Sequence, residues 1–266
     1  MITQPEDSSP VQFTTDSGVA TITLSRPAAY NSIDREMALG LQSALDACAE
    51  NEEVRCVVLT GAGKAFCAGQ DLKEVTDPDR NPGFRVILEE HYAPIVTRLR
   101  NLPKPVLAAV NGVAAGAGAN IALASDVVVA DERAVFIQAF SKIGLIPDSG
   151  GTFFLPRLVG YQRALALAML GDKVPAPEAE RMGMIYRAVP SADFEATVSE
   201  LAQRLAAMPT RALALTKQAF RQSMTNDLPA QLAVETELQL QASRTDDYAE
   251  GVTAFLEKRR PTYRGR

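Results

Sequence analysis

Asp148 stands in the segment Gly144-Leu145-Ile146-Pro147-Asp148-Ser149-Gly150-Gly151-Thr152, a lone carboxylate among small and apolar residues. Beside an apolar pocket, lost hydration raises a carboxyl pKa toward a range useful to a general base. An Asp-Ser pair ahead of a helix is also a favoured N-cap, and the residues alone leave both readings open. Two further segments have the composition of ligand loops. Lys64-Ala65-Phe66-Cys67-Ala68-Gly69-Gln70-Asp71-Leu72 follows an apolar run, the position where α/β folds place ligands. Its small residues allow close approach to the backbone, though a plain turn needs no more. Asn111-Gly112-Val113-Ala114-Ala115-Gly116-Ala117-Gly118-Ala119-Asn120 runs into a helical stretch. Backbone N–H groups at a helix start can hold a developing anion, and tight helix packing is the alternative. The segment matches neither the dinucleotide fingerprint nor the phosphate-binding P-loop.

Composition narrows the field. The chain has 266 residues, 27 Lys plus Arg against 32 Asp plus Glu, and a formal charge of −5. An acidic chain without a basic patch lacks the field that sequence-independent nucleic-acid binding needs. The one histidine, His91, rules out a multi-histidine zinc site. Three cysteines, at 48, 56 and 67, are too few and odd for a disulfide framework. Cys67 has no visible base partner, so it reads as a packing residue, and His91 as structural or as substrate wall. The first ten residues lack a signal-peptide pattern, and no apolar run is long enough to span a bilayer, so a cytoplasmic protein is expected.

The elements that must position these segments can be read from hydrophobic period. Residues 1–10 read as a disordered tail. Residues 11–15 and 19–24 predict a hairpin turning at Asp16-Ser17-Gly18. Met37, Leu41, Ala44, Leu45 and Cys48 predict a helix over 35–51, and a second spans 84–102. Continuous apolar runs at 54–60, 106–110 and 126–130 predict buried strands. Past residue 191 the pattern is helical at 201–207, 211–223, 230–243 and 248–258, with no strand. An α/β body over 11–200 followed by a helical region over 201–266 is therefore expected. The pattern leaves that region open as a cap or an oligomer contact.

Jointly, the three segments resemble signatures of the crotonase family, the enoyl-CoA hydratase/isomerase superfamily, over roughly residues 11–260. Leu24-Ser25-Arg26-Pro27 followed by Asn31 is similar to a fourth signature. The resemblance implies an α/β superhelix of repeated ββα units, the ClpP-like crotonase fold, with a C-terminal helical region that makes a homotrimer or a dimer of trimers. It implies an acyl-CoA thioester substrate, with CoA carried by the substrate and no separate cofactor or metal. Carried over residue by residue, the oxyanion hole falls on the N–H groups of Gln70 and Ala117. CoA contacts fall on Ala68, Asp71 and Leu72 around the adenine, on Arg26 toward the phosphates, and on Ala28 and Gln70. Phe255 and Lys258 would complete the CoA pocket of a neighbouring subunit.

The sequence departs from the family's hydratase pattern. The two glutamates that activate and position water there are replaced by Asn120 and Phe140. Asn cannot act as a base, and Phe dries the site. Asp148 stands where hydratases commonly have glycine. This resembles family members that isomerise, moving a Δ3 double bond to Δ2 or converting a ring-1,2-epoxyphenylacetyl-CoA to an oxepin-CoA in phenylacetate degradation. Asn120 would orient substrate or Asp148, or merely face the core. Two alternatives stand: an enoyl-CoA hydratase of fatty-acid β-oxidation using Asp148 alone, and a non-catalytic acyl-CoA-binding scaffold.

Overall fold

The computed structural model of the protein describes residues 9–266. The chain opens with a hairpin, β1 (Val11–Asp16) and β2 (Val19–Leu24), closed by Ser17 and Gly18, both at positive φ. That backbone matches the twist of antiparallel strands, as expected from Asp-Ser-Gly. Of the expected tail, residues 1–8 lie outside the described residues. Pro10 is not tail: its carbonyl accepts from Ser25 N at 2.8 Å, extending the hairpin.

Beyond the hairpin, each turn of chain lays down one strand in each of two sheets. β3 (Cys56–Gly61), β5 (Val106–Val110) and β7 (Val127–Asp131) alternate with β4 (Ala65–Cys67), β6 (Val113–Ala115) and β8 (Val135–Ile137). Two more short strands come after these, β9 (Lys173–Pro175) and β10 (Arg187–Val189). One sheet has the order β1-β2-β3-β5-β7-β10, parallel from β2 onward, and the other β4-β6-β8-β9. The spiral of ββα turns is present.

The helices are α1 (Arg35–Glu50), α2 (Leu72–Thr76), α3 (Phe84–Val86), α4 (Ala93–Asn101), α5 (Ala117–Ala124), α6 (Gly151–Val159), α7 (Tyr161–Leu170), α8 (Ala176–Arg181), α9 (Phe194–Ala206), α10 (Thr210–Ser223), α11 (Leu228–Ala242) and α12 (Asp246–Leu256). A π-helical turn, Ile87–Tyr92, joins α3 to α4. α1 begins where the Asp34 carboxylate accepts from Met37 N, and it buries Met37, Leu41, Leu45 and Cys48 along one stripe.

The six-stranded sheet is apolar on both faces. Val57, Leu59, Ala108 and Val128 join the main core, while Cys56, Val58, Leu107 and Val129 meet Phe194, Ala202 and Ala206 of α9. Burial on both sides explains why β3, β5 and β7 read as continuous apolar runs. α9, packed on this sheet, runs across the expected division at residue 200. Lys217 anchors α10, donating to Leu99 O at 2.7 Å and to Asp126 at 2.7 Å. Among the described residues, no helix is long and apolar enough to cross a membrane.

Candidate active site

The three singled-out segments converge at the N-terminal end of α5. β4 leads into Gly69, which has φ +89°, a conformation that only glycine adopts without strain. A β-carbon there would sit 2.9 Å from Ala115 O and 3.4 Å from Ala117 N, so Gly69 packs directly on the start of α5. A β-carbon on Gly118 would collide with Cys67 O, which fixes the other side of this contact. Next in line, Gln70 forms an isolated parallel bridge with Ile33. Ile33 N donates to Gly69 O at 2.7 Å and Asp71 N to Ile33 O at 2.9 Å. In that register Gln70's own N–H points away from Ile33. Ala117 is the first residue of α5, so its N–H has no partner within the helix. Two N–H groups without a partner among the described residues, on adjacent segments and one at the positive end of a helix, can hold an oxygen that gains negative charge.

Asp148 lies on the loop before α6. It does not cap that helix: the N-cap is Gly150, and the Asp148 carboxylate accepts from Ser149 Oγ at 2.8 Å. Ser149 has φ +49°, an uncommon backbone for a non-glycine residue and a local strain of the kind found at functional loops. Burial pushes the Asp148 carboxyl above its ordinary value of 3.8, and the Ser149 hydroxyl offsets part of this.

Asn120 is fully buried and faces this loop. Its Nδ2 donates to Asp148 O at 2.9 Å, and its Oδ1 accepts from Gln138 Nε2 at 2.8 Å. Of the roles open to Asn120, the structure shows contact with the Asp148 backbone. A β-carbon on Gly151 would overlap the Asn120 amide, so the loop sits tight against it. Phe140, 6% exposed, brings its ring to the start of α5: its Cζ lies 3.7 Å from where a β-carbon on Gly116 would be. The Phe140 ring therefore lies beside the N-terminal end of α5.

The residues expected to touch CoA are less uniform. Ala68 and Gln70 are half-buried beside the two N–H groups, while Ala28 and Leu72 are exposed. Asp71 caps α2, accepting from Lys73 N at 2.9 Å. The Arg26 guanidinium is engaged internally, at 2.6 Å from Ser32 O, 2.7 Å from Asp71 and 3.1 Å from Asp34. Burial pushes Asp71 upward, but the hydrogen bonds from Arg26 and Lys73 N outweigh it and leave its pKa below the usual range. Phe255, in the last turn of α12, and Lys258, just past it, are exposed. Cys67 is a buried thiol, pushed up to about 12 by burial, and so is no nucleophile. His91 is buried and held below its ordinary value, first by burial.

Sequence patterns gave no sign of Gln138, Glu74 or Tyr92. Tyr92 Oη donates to Gln70 Oε1 at 2.7 Å, and Gln70 Nε2 to Glu74 at 2.8 Å. A cavity of about 830 Å³ opens elsewhere, between the outer sheet face and α9 around Asp131 and Arg133. It holds none of these groups.

Comparison with known proteins agrees with the geometry. Residues 14–266 match the family model described as enoyl-CoA hydratase/isomerase. A 1,2-epoxyphenylacetyl-CoA isomerase from Escherichia coli is 47% identical over 94% of this chain and 97% of its own. A protein from Rhodobacter capsulatus named "Probable enoyl-CoA hydratase" is also 47% identical, over 96% of this chain and 98% of its own. The crystal structure of an enoyl-CoA hydratase from Bacillus anthracis superposes with a TM-score of 0.89 at 34% identity, covering 97% of this chain and all of that one. The expected crotonase fold is thereby established, and the chain belongs to the enoyl-CoA hydratase/isomerase family.

Proposed function

We propose that the protein isomerises an acyl-CoA thioester, with Asp148 moving a proton and the N–H groups of Gln70 and Ala117 holding the thioester oxygen. The observation that carries this is a half-buried Asp148 whose backbone is bonded to the Asn120 amide, on the loop facing α5, with the Phe140 ring buried at the start of that helix. One base in a dry site suits proton transfer between carbons better than water addition.

The step balances without a co-reactant. Asp148 takes a proton from the carbon next to the thioester of a Δ3-enoyl-CoA. The electron pair becomes a dienolate whose oxygen lies between the two N–H groups. Protonation at C4 by the same carboxyl leaves the Δ2 isomer and restores Asp148. No cofactor is needed beyond the CoA of the substrate itself. Ala68, Asp71 and Leu72 are our assignment for the adenine contacts and Ala28 for a further one. Arg26 acts mainly by holding Asp71 and Asp34 in place, given its three internal partners.

The Escherichia coli relative's name supports ring-1,2-epoxyphenylacetyl-CoA as the substrate. The equally similar Rhodobacter relative supports hydration as the second reading. Offering both the ring epoxide and crotonyl-CoA to the purified protein separates them: oxepin formation with slow hydration is expected, and fast hydration with no oxepin overturns the assignment.

We also propose that α10–α12 form a trimer contact, in which Phe255 and Lys258 reach a neighbour's CoA. In one chain α11 buries only Leu238, while Phe220 and Leu228 are about 70% exposed. Light scattering reads the mass; a monomer would contradict this.

A further inference from the structure

We propose that Tyr92 is a positioning residue for the oxyanion hole, acting through the side chain of Gln70; this rests on the isomerase reading above. Gln70 is held from two directions. On the backbone side, the Gly69–Gln70 peptide is tied by the bond from Ile33 N to Gly69 O. With the bond from Asp71 N to Ile33 O, it fixes the backbone on either side of Gln70. On the other side, both ends of the side-chain amide are occupied. Oε1 accepts from Tyr92 Oη at 2.7 Å, and Nε2 donates to Glu74 Oε2 at 2.8 Å. Glu74 is buried and also accepts from Arg35 N at 2.9 Å.

The chemistry of this chain runs one way. Glu74 accepts, so the amide presents Nε2 to it and Oε1 to the phenol, which must then donate. Burial first, then neighbours including Cys67 and Asp148, pushes the Tyr92 phenol well above its ordinary value, so it stays a donor. The amide clamp adds support from the side chain to the two backbone bonds that bracket Gln70.

The π-helical turn is the second observation. A π turn adds a residue to one turn and re-phases the helix beyond it. Here its last two residues, His91 and Tyr92, are both buried, at 0% and 2% exposure, although neighbours on an α-helix point about 100° apart. The irregularity delivers Tyr92 to Gln70 while His91 meets Arg35, with Nε2 3.4 Å from the guanidinium.

The test uses cinnamoyl-CoA, whose conjugated thioester absorbs at longer wavelength when its oxygen accepts stronger hydrogen bonds. Wild type should show a red shift on binding. Tyr92→Phe should bind with Kd within about threefold but show a smaller shift, and kcat should fall about tenfold with KM little changed. The shift is read on bound ligand only, so a less stable variant still reports. Glu74→Gln attacks the same amide from its other end and should shrink the shift likewise. A wild-type shift that persists in full in both variants overturns the role of Tyr92. No shift in wild type overturns the oxyanion hole itself.

Discussion

Asn120 Nδ2 donates to the backbone carbonyl of Asp148 at 2.9 Å, across 28 residues of sequence. Gly151 N donates to the same oxygen at 2.8 Å, so the peptide after Asp148 is held from both sides. In our account the residue at position 120 does no proton chemistry and instead holds the base where it must be.

Asn120→Ala removes that donor and strands the buried amide of Gln138. A buried group left unpaired costs about 1–3 kcal/mol, so Tm should fall. Because the carboxylate also loses its alignment, kcat should fall by about tenfold or more with KM nearly constant. An unchanged kcat would remove the clamp from the account.

Asp148→Asn should lower turnover by roughly 10²–10⁴-fold, the usual contribution of a positioned base, with acyl-CoA binding retained. The same substitution should raise Tm at pH 7. The carboxyl's pKa is higher in the folded protein than its unfolded 3.8. Its ionised form is therefore the less favoured one on folding, and stability is lost as pH rises through the folded value. Asn removes that cost, and the gain in Tm should shrink at pH 4. In wild type, kcat/KM should fall on the acid side with a midpoint above 3.8.

His91 predicts a pH effect of opposite sign. Burial, with a smaller push from the Arg35 charge, lowers its pKa below 6.5 despite the opposing charges of Glu74, Glu90 and Asp34. The unfolded chain then binds the extra proton first as pH falls below 6.5, and stability drops with it. Tm measured from pH 7.5 to 5.5 should decline more steeply in wild type than in His91→Phe. Equal slopes would show that His91 does not titrate on unfolding in this range.

Gly69→Ala places a β-carbon 2.9 Å from Ala115 O at φ +89°. The strain should cost on the order of 1–3 kcal/mol. Relief by backbone movement would displace the Gln70 N–H, for a loss near 10²-fold in kcat. A variant with lower Tm but full kcat would separate this glycine from the oxyanion site.

Long elements were legible in the sequence because they repeat a signal. The helix at 35–50 shows four turns of one apolar stripe, and β3, β5 and β7 are continuous apolar runs buried on both faces. The second sheet was not legible. β4, β6 and β8 have three residues each, too few to show a period, so they merged into expected loops. At the site, Asp148 stood out by its chemistry among small residues. Asn120 was legible only through the family resemblance; Gln138 and Tyr92 were not, because they reach their partners across 18 and 22 residues, and local spacing carries no trace of such pairs. Arg26 shows the reverse case. Its motif points to phosphate, while the fold closes Asp34 and Asp71 around it.

The central claim is that one carboxylate moves a proton between carbons without adding water. The most direct measurement gives the protein a Δ3-enoyl-CoA in D2O and crotonyl-CoA in a parallel reaction, with products followed by mass spectrometry. The expected result is Δ2 product, carrying deuterium only as far as the Asp148 carboxyl exchanges with solvent between the two transfers, with little hydrated crotonyl-CoA and with the isomerisation lost in Asp148→Asn. Rapid hydration of crotonyl-CoA with no Δ3-to-Δ2 conversion would contradict it.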